Sequence, residues 1–429
     1  MHHKRGIQLT ECTRRLPSLE TCLSYLLVVL GIHICVTSCA KQEEVTLEKP
    51  LALYRENKLD QALPLFEQVV AREKRNATAF AWFAETCRRL GRKEEAVVAS
   101  RSALALEPCN SFAHTVIAEA CNPVFGLWSG ANSDTTWSHL MQAIQCDSSD
   151  GNPWVTVFTQ AIERNDPPMM QRSLQRLVET GFLTSASLSY ARWMLRTLPE
   201  RSVLITSGDM DTYPPLAVQE VERFRRDVTV VNRSLLNTIW YERFIRDTEE
   251  VPMPFEDARL EALAPLKDDS GRVVTTSDQI LRAWFDQKAK GTLARPLAVA
   301  VSVEEACYAE VKDRMRYAGP FLVWQSRPTG EVPDTAALRA SLLGVDPTDL
   351  RGDWVSQQDR SPIRRIYSRN VVKNVTAAAV AYSTWLIKAN KFSDARQWLS
   401  WAENLERQTE LGPVFTGKIA ELRKAAGGG

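Results

Sequence analysis

The sequence predicts an α + α/β fold: a tetratricopeptide-like helical array, then a parallel-sheet, Rossmann-like α/β domain, then a C-terminal helical repeat or cap. Three observations along the 429 residues predict this division. Similar helical segments recur at Ala62 and Ala96, and their separation equals the tetratricopeptide period of about 34 residues. In the middle of the chain, the apolar pattern changes from a helical period to short β-branched runs. Near the C-terminus the helical pattern returns.

A segment typical of export precedes the array. Residues 1–22 are polar with four basic side chains, and residues 23–36 form a predominantly apolar run. A membrane-spanning helix needs roughly 20 residues, so this shorter run is more typical of a signal peptide. It ends in Val-Thr-Ser-Cys, which resembles the bacterial lipobox, with Cys39 as the cysteine that receives lipid. The alternative is a buried apolar helix with a chance cysteine.

We therefore predict a lipoprotein signal peptide over residues 1–38, lipidation of Cys39 and a tether over residues 39–50. Ala40 follows the cysteine, in place of the aspartate that commonly retains lipoproteins in the inner membrane. In a Gram-negative host, the expected location is therefore the outer membrane. No other apolar run is long enough to indicate a membrane-spanning helix, so lipid is the expected anchor.

The charge balance argues against nucleic acid as a partner. Residues 1–38 hold four basic and two acidic side chains, so the rest of the chain has 49 basic and 50 acidic residues and a net charge of −1. No basic field remains to bind a phosphate backbone.

Residues 45–198 form the predicted helical array. The second unit carries bulky, small and helix-ending residues where the tetratricopeptide pattern places them, from Phe80 to Pro108. A third unit starts near Ser111, is split by a Gly/Asn-rich insertion at residues 122–136, and three further helices follow. The alternative is an unrelated helical bundle. The C-terminal unit, predicted over residues 369–425, repeats the pattern around Ala395.

The cysteines after Cys39 form no CxxC pair, so they suggest no zinc knuckle and no thioredoxin-type site. Cys87 and Cys121 fall on helical core positions, where a buried thiol is expected. A disulfide is possible, but spacing does not assign it.

Residues 199–368 form the predicted α/β domain. Buried strands are expected at 202–208, 227–232, 296–303 and 319–326, with a helix after each of the first three. Alternating strands and helices predict a parallel sheet covered on both faces. Such sheets bind ligands at the carboxyl ends of strands.

Part of this domain resembles a known family. The turn Gly208–Pro214 and the later motif from Asp227 through Asn232 to Tyr241 resemble the soluble C-terminal region of protein O-mannosyltransferase-like, multi-spanning membrane proteins. The resemblance covers roughly residues 198–410, with departures at Met210 and Arg233. It has no counterpart to the membrane-embedded half where the transferase chemistry is expected. It therefore implies a fold and a surface, but not the transfer reaction.

The acidic turn, residues 208–212, supplies the candidate ligand site, with Asp209, Asp211 and Thr212 as its candidate ligand-binding residues. Asp209 and Asp211 could together hold a divalent cation, which prefers oxygen ligands and can bridge to phosphate or sugar hydroxyls. The alternative is structural, with Asp209 capping the turn and Thr212 tying the backbone. Four further candidates lie at or after the end of the second strand. Asn232, Asn237 and Thr238 could line the same crevice, with loop hydrogen bonding as the alternative. Trp240, with Tyr241, could stack on a sugar face, with core packing as the alternative.

Other chemistries have less support. His114 and His139 are the only histidines after residue 38, and no GxSxG, HExxH or P-loop motif occurs. The two histidines are therefore expected to be partly buried structural residues. Two functions remain open. The first is a protein-interaction scaffold that binds a protein or peptide and carries a ligand-binding α/β domain, in cell-envelope glycan or glycoprotein processing. The second is a metal- or sugar-dependent enzyme related to glycosyltransferases.

Overall fold

The N-terminal part consists of consecutive helices that pack on one another in pairs. The computed structural model describes residues 46–126, 128–269, 271–329, 333–351, 362–409 and 412–427. The predicted signal peptide and Cys39 lie outside the described residues. The helices of this part are α1 Glu48–Arg55, α2 Leu59–Arg72, α3 Ala77–Arg89, α4 Lys93–Leu106, α5 Ser111–Cys121, α6 Ser133–Cys146, α7 Asn152–Glu163, α8 Pro167–Glu179 and α9 Ser185–Thr197.

The second helix of each early pair buries the same three positions. In α2 these are Ala62, Phe66 and Val69, all completely buried. Residues spaced i, i+4 and i+7 lie on one face of a helix, so this face packs into the pair. The array is therefore a tetratricopeptide-like scaffold. The equivalent buried residues are Ala96, Ser100 and Ala103 in α4, and Thr136, Leu140 and Ala143 in α6.

Asparagine caps repeat with the same period. Asn76 and Asn110 have the same separation in sequence as Ala62 and Ala96, and each asparagine side-chain oxygen accepts a hydrogen bond from the backbone N–H three residues later. Such caps satisfy one of the free donors at a helix N-terminus.

The insertion in the third repeat folds back on the array. Lys93 Nζ donates to the carbonyl oxygens of Phe125 and Gly126 at 2.8 and 2.9 Å, and Trp128 Nε1 donates to the Ala120 carbonyl at 2.8 Å. The insertion ends earlier than predicted, because the Asn132 side chain caps α6.

A disulfide joins the two helices of the third repeat, which the insertion separates in sequence. Cys109, just before α5, is bonded to Cys146 at the end of α6. Cys87 and Cys121 are buried free thiols, as the sequence predicts, and Cys307 is also buried and free.

The two histidines pair within the same repeat. His114 is buried, and its Nδ1 lies 2.8 Å from Nδ1 of His139 while its Nε2 lies 3.1 Å from the Pro108 carbonyl oxygen. A carbonyl only accepts, so His114 carries its proton on Nε2 and accepts from His139. Desolvation, followed by repulsion from His114, lowers the pKa of His139 to about 4.

The central part contains a mixed five-stranded sheet, so the predicted all-parallel sheet is wrong. The strand order is β2-β1-β5-β7-β6; β1 runs parallel to β2 and β5, whereas β7 runs antiparallel to β5 and β6. A Rossmann-like domain is not confirmed. The strands are β1 Val203–Thr206, β2 Thr229–Asn232, β3 Leu266–Lys267, β4 Val273–Val274, β5 Leu297–Ala300, β6 Met315–Tyr317 and β7 Phe321–Trp324, with β3 and β4 forming a separate antiparallel pair.

The helix predicted after the third long strand is also wrong. Short 3-10 turns occupy Glu305–Cys307 and Ala309–Arg314, and β6 follows at once. The turn between β6 and β7 contains Gly319 at φ +108°, a left-handed backbone that glycine adopts without strain. This turn allows the chain to reverse and pair β6 with β7, which overrides the local helical preference.

The sheet is covered on both faces, as predicted. Successive strand residues point to opposite faces, so Val203 and Ile205 join one core with α7 and α8. Leu204 and Ala298 join a second core that contains α9. The remaining helices of this part are α10 Asp209–Val221, α11 Ile239–Asp247, α12 Asp257–Ala262, α13 Thr276–Lys290 and α14 Thr335–Leu343.

The C-terminal helices return to the end of the array. Thr184 Oγ1, just before α9, lies 3.0 Å from Ser368 Oγ, and Asn374 Nδ2 donates to the Tyr190 hydroxyl at 3.2 Å. The first core crosses the predicted boundary near residue 199, and the second core crosses both that boundary and the one near residue 369. The helices are α15 Pro362–Lys388, α16 Phe392–Gln408 and α17 Thr416–Ala425, and α16 buries Ala395, Leu399 and Ala402 at the spacing seen in α2. Among the described residues, no helix combines the length and apolar character that crossing a bilayer requires.

Candidate functional site

The first helices of four successive repeats enclose a cavity of about 290 Å³, here called the central cavity. Helices α1, α3, α5 and α7 supply most of its wall. The insertion contributes Phe125, which is half exposed, and the start of α10 contributes Asp209 and Met210. The acidic turn, defined as residues 208–212, therefore closes a cavity that the helical array begins.

Aromatic rings form one wall of the central cavity. The Trp82 ring contacts Tyr54 and Phe112 edge to face, with ring centroids 5.0 and 4.7 Å apart. These three residues come from three successive repeats, so the packing of the repeats holds the rings in place.

A charged network crosses the same repeats. Arg88 Nε and Nη2 donate to Glu85 at 2.7 and 2.8 Å, and Arg88 Nη1 lies 3.0 Å from Glu119 Oε2. The Tyr54 hydroxyl donates to Glu85 at 3.0 Å. Burial, with repulsion from Glu85, Asp209 and another carboxylate outweighing attraction to Arg88, raises the pKa of Glu119 to about 7. The cavity therefore holds more negative charge than its one guanidinium balances.

Asp209 faces this network from the α/β side. Solvent reaches its carboxylate, yet the group lies in a concavity where protein atoms replace much of the bulk water. This desolvation, together with repulsion from Asp211, raises the pKa of Asp209 to about 6. Within the described part of the chain, no side chain forms a hydrogen bond or ion pair with this carboxylate.

Asp211 has a different environment. Its two oxygens accept hydrogen bonds from the backbone N–H groups of Ser207 and Gly208, both at 2.8 Å, and from the Ser302 hydroxyl. Asp211 thus caps α10 and ties it to the chain after β5, the role that the structural alternative gave to Asp209. Thr212 Oγ1 hydrogen-bonds Thr206 Oγ1 at 2.6 Å and donates to the Gly208 carbonyl at 2.5 Å.

The predicted pair of carboxylates does not converge on one point. The helix begins at Asp209, so Asp209 and Asp211 are residues i and i+2 of a helix and face different sides. Among the residues described, no group of three His, Cys, Asp or Glu side chains could hold a metal ion. The divalent cation remains a prediction.

The candidates at and after the end of β2 lie outside the central cavity. Asn232 Oδ1 accepts from Ser234 N–H at 2.9 Å, and the Asn232 N–H donates to the Tyr241 hydroxyl at 2.9 Å. Asn237 Oδ1 accepts from the Ser277 N–H at 3.0 Å, in the first turn of α13. These contacts organise a loop.

The remaining two candidates in this segment also have local contacts. Thr238 Oγ1 donates to the Leu235 carbonyl at 2.7 Å. Trp240 is half-buried against the first core, and its ring meets Tyr241 edge to face at 5.9 Å. Of the predicted candidates, only Asp209 reaches the central cavity.

The sequence interpretation missed the other half of the site. Glu85 and Glu119 are one repeat length apart on the first helices of successive repeats, as Asn76 and Asn110 are on their caps. An alignment of the repeats therefore contained a signal: two acidic residues recur where a helical repeat presents its inner face.

Comparisons with known proteins give one family match and several distant structural likenesses. The model of the family described as TMEM260-associated domain 2 matches residues 187–262, which include most of α9, the acidic turn and the motif from Asp227 to Tyr241. Among curated proteins, none matches the chain. No family is therefore shown for the whole chain.

Three solved structures illustrate the distant likenesses. A thermophilic TPR protein of Thermus thermophilus is 15% identical, with 50% of this chain and 93% of that chain covered and a TM-score of 0.30. A tetratricopeptide repeat protein of Parabacteroides merdae is 9% identical, with 90% and 98% covered and a TM-score of 0.30. MamA of Desulfovibrio magneticus is 12% identical, with 38% and 89% covered and a TM-score of 0.26. By the packing of its own repeats, the chain is a tetratricopeptide-like scaffold, and its residues 187–262 are similar to the TMEM260-associated domain 2 family.

Proposed function

We propose that this protein is a lipid-anchored envelope protein that holds a segment of a protein partner in the central cavity. The observation that carries the proposal is the continuity of the cavity across the first helices of four repeats and the acidic turn. Helical-repeat proteins commonly bind partners on such inner surfaces. The α/β part contributes Asp209 to the wall, so it acts as part of the binding surface.

The location rests on two features. Cys39 ends a lipobox-like sequence, and the Cys109–Cys146 disulfide is of a kind that persists in oxidising compartments. The resemblance to protein O-mannosyltransferase-like proteins, with which the TMEM260-associated match is consistent, supports cell-envelope glycan or glycoprotein processing as the setting.

Site-specific photo-crosslinking of the full chain in cells tests partner binding. A photo-reactive residue replaces Phe125, which is 50% exposed in the central cavity, or, as the matched control, Val98, which is 64% exposed on α4 outside it. We expect a discrete protein adduct from position 125 and none from position 98. If crosslinking at both positions stays at the same background level, with no discrete adduct, partner binding in the cavity is contradicted.

Metabolic labelling with a fatty acid tests the anchor. We expect label on the natural chain and none on Cys39→Ser, which should also leave the membrane fraction. Equal labelling of both proteins would refute lipidation at Cys39.

A further inference from the structure

The central cavity combines aromatic rings with an excess of negative charge. Its lining includes the carboxylates of Glu85, Glu119, Asp150 and Asp209 and the guanidinium of Arg88, for a formal charge of −3. Arg88 pairs with Glu85 and Glu119, which are two of these four carboxylates. Its single positive charge therefore leaves three negative charges unbalanced.

The aromatic wall favours the same sign of ligand charge. The negative π faces of Trp, Tyr and Phe attract ammonium and guanidinium groups within about 6 Å. Tyr54, Trp82 and Phe112 line the cavity together with the carboxylates, and the Arg89 guanidinium already lies over the Tyr54 ring, 5.0 Å from its centroid. The rings of Trp82 and Phe112 are therefore the ones left to contact a ligand cation. A ligand with an apolar stem and a cationic tip would satisfy both kinds of wall.

The acidic turn supplies the carboxylate that lacks a partner. Asp211, two residues away, accepts hydrogen bonds from Ser207, Gly208 and Ser302. Asp209 accepts none from the residues that the structure describes, although it faces the same cavity as Glu119. A neutral ligand such as a sugar would leave the excess charge in place, and an anion would increase it. A cation would relieve it.

We propose that the central cavity binds the positively charged side chain of a lysine or arginine presented by a protein partner. This inference rests on the proposed function and specifies what the partner presents. The volume of about 290 Å³ suits one extended side chain. Asp209 and Glu119 contact the cationic tip, and the Tyr54–Trp82–Phe112 wall packs along the stem.

Binding of defined peptides to the full chain in detergent tests the inference. The probes are blocked pentapeptides, acetyl-Gly-Ala-Xaa-Ala-Gly-amide, in which Xaa is lysine, arginine, norleucine or glutamate; norleucine keeps the stem and removes the charge. By calorimetry at pH 8 we expect lysine or arginine to bind at least about tenfold tighter than norleucine, a difference of about 1.4 kcal/mol. Glutamate should not bind.

Variants localise the effect. Asp209→Asn and Glu119→Gln should each weaken the cationic peptide about tenfold, whereas Glu94→Gln, an exposed glutamate on α4 outside the cavity, should leave it unchanged. Both test variants nearly preserve side-chain shape, and the solvent-accessible Asp209 carries the test if Glu119→Gln fails to fold.

Several outcomes would overturn the inference. These are equal affinity for norleucine and lysine, no affinity for any peptide, or Asp209-dependent binding of methyl α-mannoside without binding of the lysine peptide. The crosslink at position 125 reports a partner whatever its charge. Crosslinking without charge selection would therefore refute the cationic ligand and leave the proposed function in place.

Discussion

Glu242 gives the sharpest prediction about stability. This glutamate on α11 is 1% exposed, and its Oε2 has no hydrogen-bond partner among the described residues. Burial, only partly offset by Arg243, raises the pKa of Glu242 from 4.5 to about 7. The ionised carboxylate is therefore unfavourable in the folded chain, and we predict that Glu242→Gln stabilises it.

The magnitude follows from linkage. Below pH 4.5 the glutamate is protonated in both the folded and the unfolded chain, so the natural chain and the variant should be about equally stable. As pH rises from 4.5 to 7, the unfolded chain releases this proton while the folded chain retains it, so the natural chain loses stability. Above pH 7 the difference should level at about 3 kcal/mol in favour of Glu242→Gln.

Thermal unfolding of both proteins between pH 4.5 and 8.5 measures this difference. For a cooperative body of this size, about 3 kcal/mol corresponds to a Tm difference of roughly 4 °C. Glu94→Gln serves as the exposed control and should not change the pH profile. A variant less stable than the natural chain at pH 8, or a difference independent of pH, would show that Glu242 is ionised and paired, and the reasoning would be refuted.

Three further predictions concern the array. The Cys109–Cys146 disulfide closes a loop between cysteines 37 residues apart in sequence. On the chain-entropy model, its reduction should lower the unfolding free energy by about 4 kcal/mol, seen as a lower Tm with reductant than without. An unchanged Tm would count against the bond. Gly151→Ala places a Cβ 2.5 Å from Phe182 Cβ, so chemical unfolding should show a loss of about 1–3 kcal/mol, and equal stability would contradict this close contact. The lowered pKa of His139 means that the unfolded chain binds its proton first, so stability should fall by up to about 3 kcal/mol as pH drops from 6.5 to 4. This dependence should shrink in His139→Gln, where the part due to His114, whose pKa burial also lowers, remains; an unchanged dependence would assign it to other groups.

The array was predicted well because the packing of a repeat depends on residues close together in sequence. The repeat period that relates Ala62 to Ala96 also fixes which helix face is buried, since contacts within a repeat are short in sequence. The same reasoning identified α16 through Ala395. The insertion was found, but its end was misplaced because the capping role of Asn132 was not used.

The sheet was predicted less well because strand pairing is a long-range property. The runs that became β1, β2, β5 and β7 were recognised from their apolar, β-branched composition. Composition carries no direction, so the antiparallel pairing of β7 with β5 was not foreseen. The segment before Gly319 has a helical composition, yet its last residues form β6 because β7 offers unpaired backbone groups.

The candidate site was also predicted only in part from the sequence. The sequence by itself determined that Asp209 and Asp211 follow a buried strand, that the helices form a repeat, and that Cys39 ends a lipobox-like segment. Only the tertiary structure decided that Asp211 caps its own helix while Asp209 faces Glu119. The physical reason is that helix faces and repeat spacing are local, whereas a cavity forms where chain segments distant in sequence, here α1 to α7 and the start of α10, pack against one another.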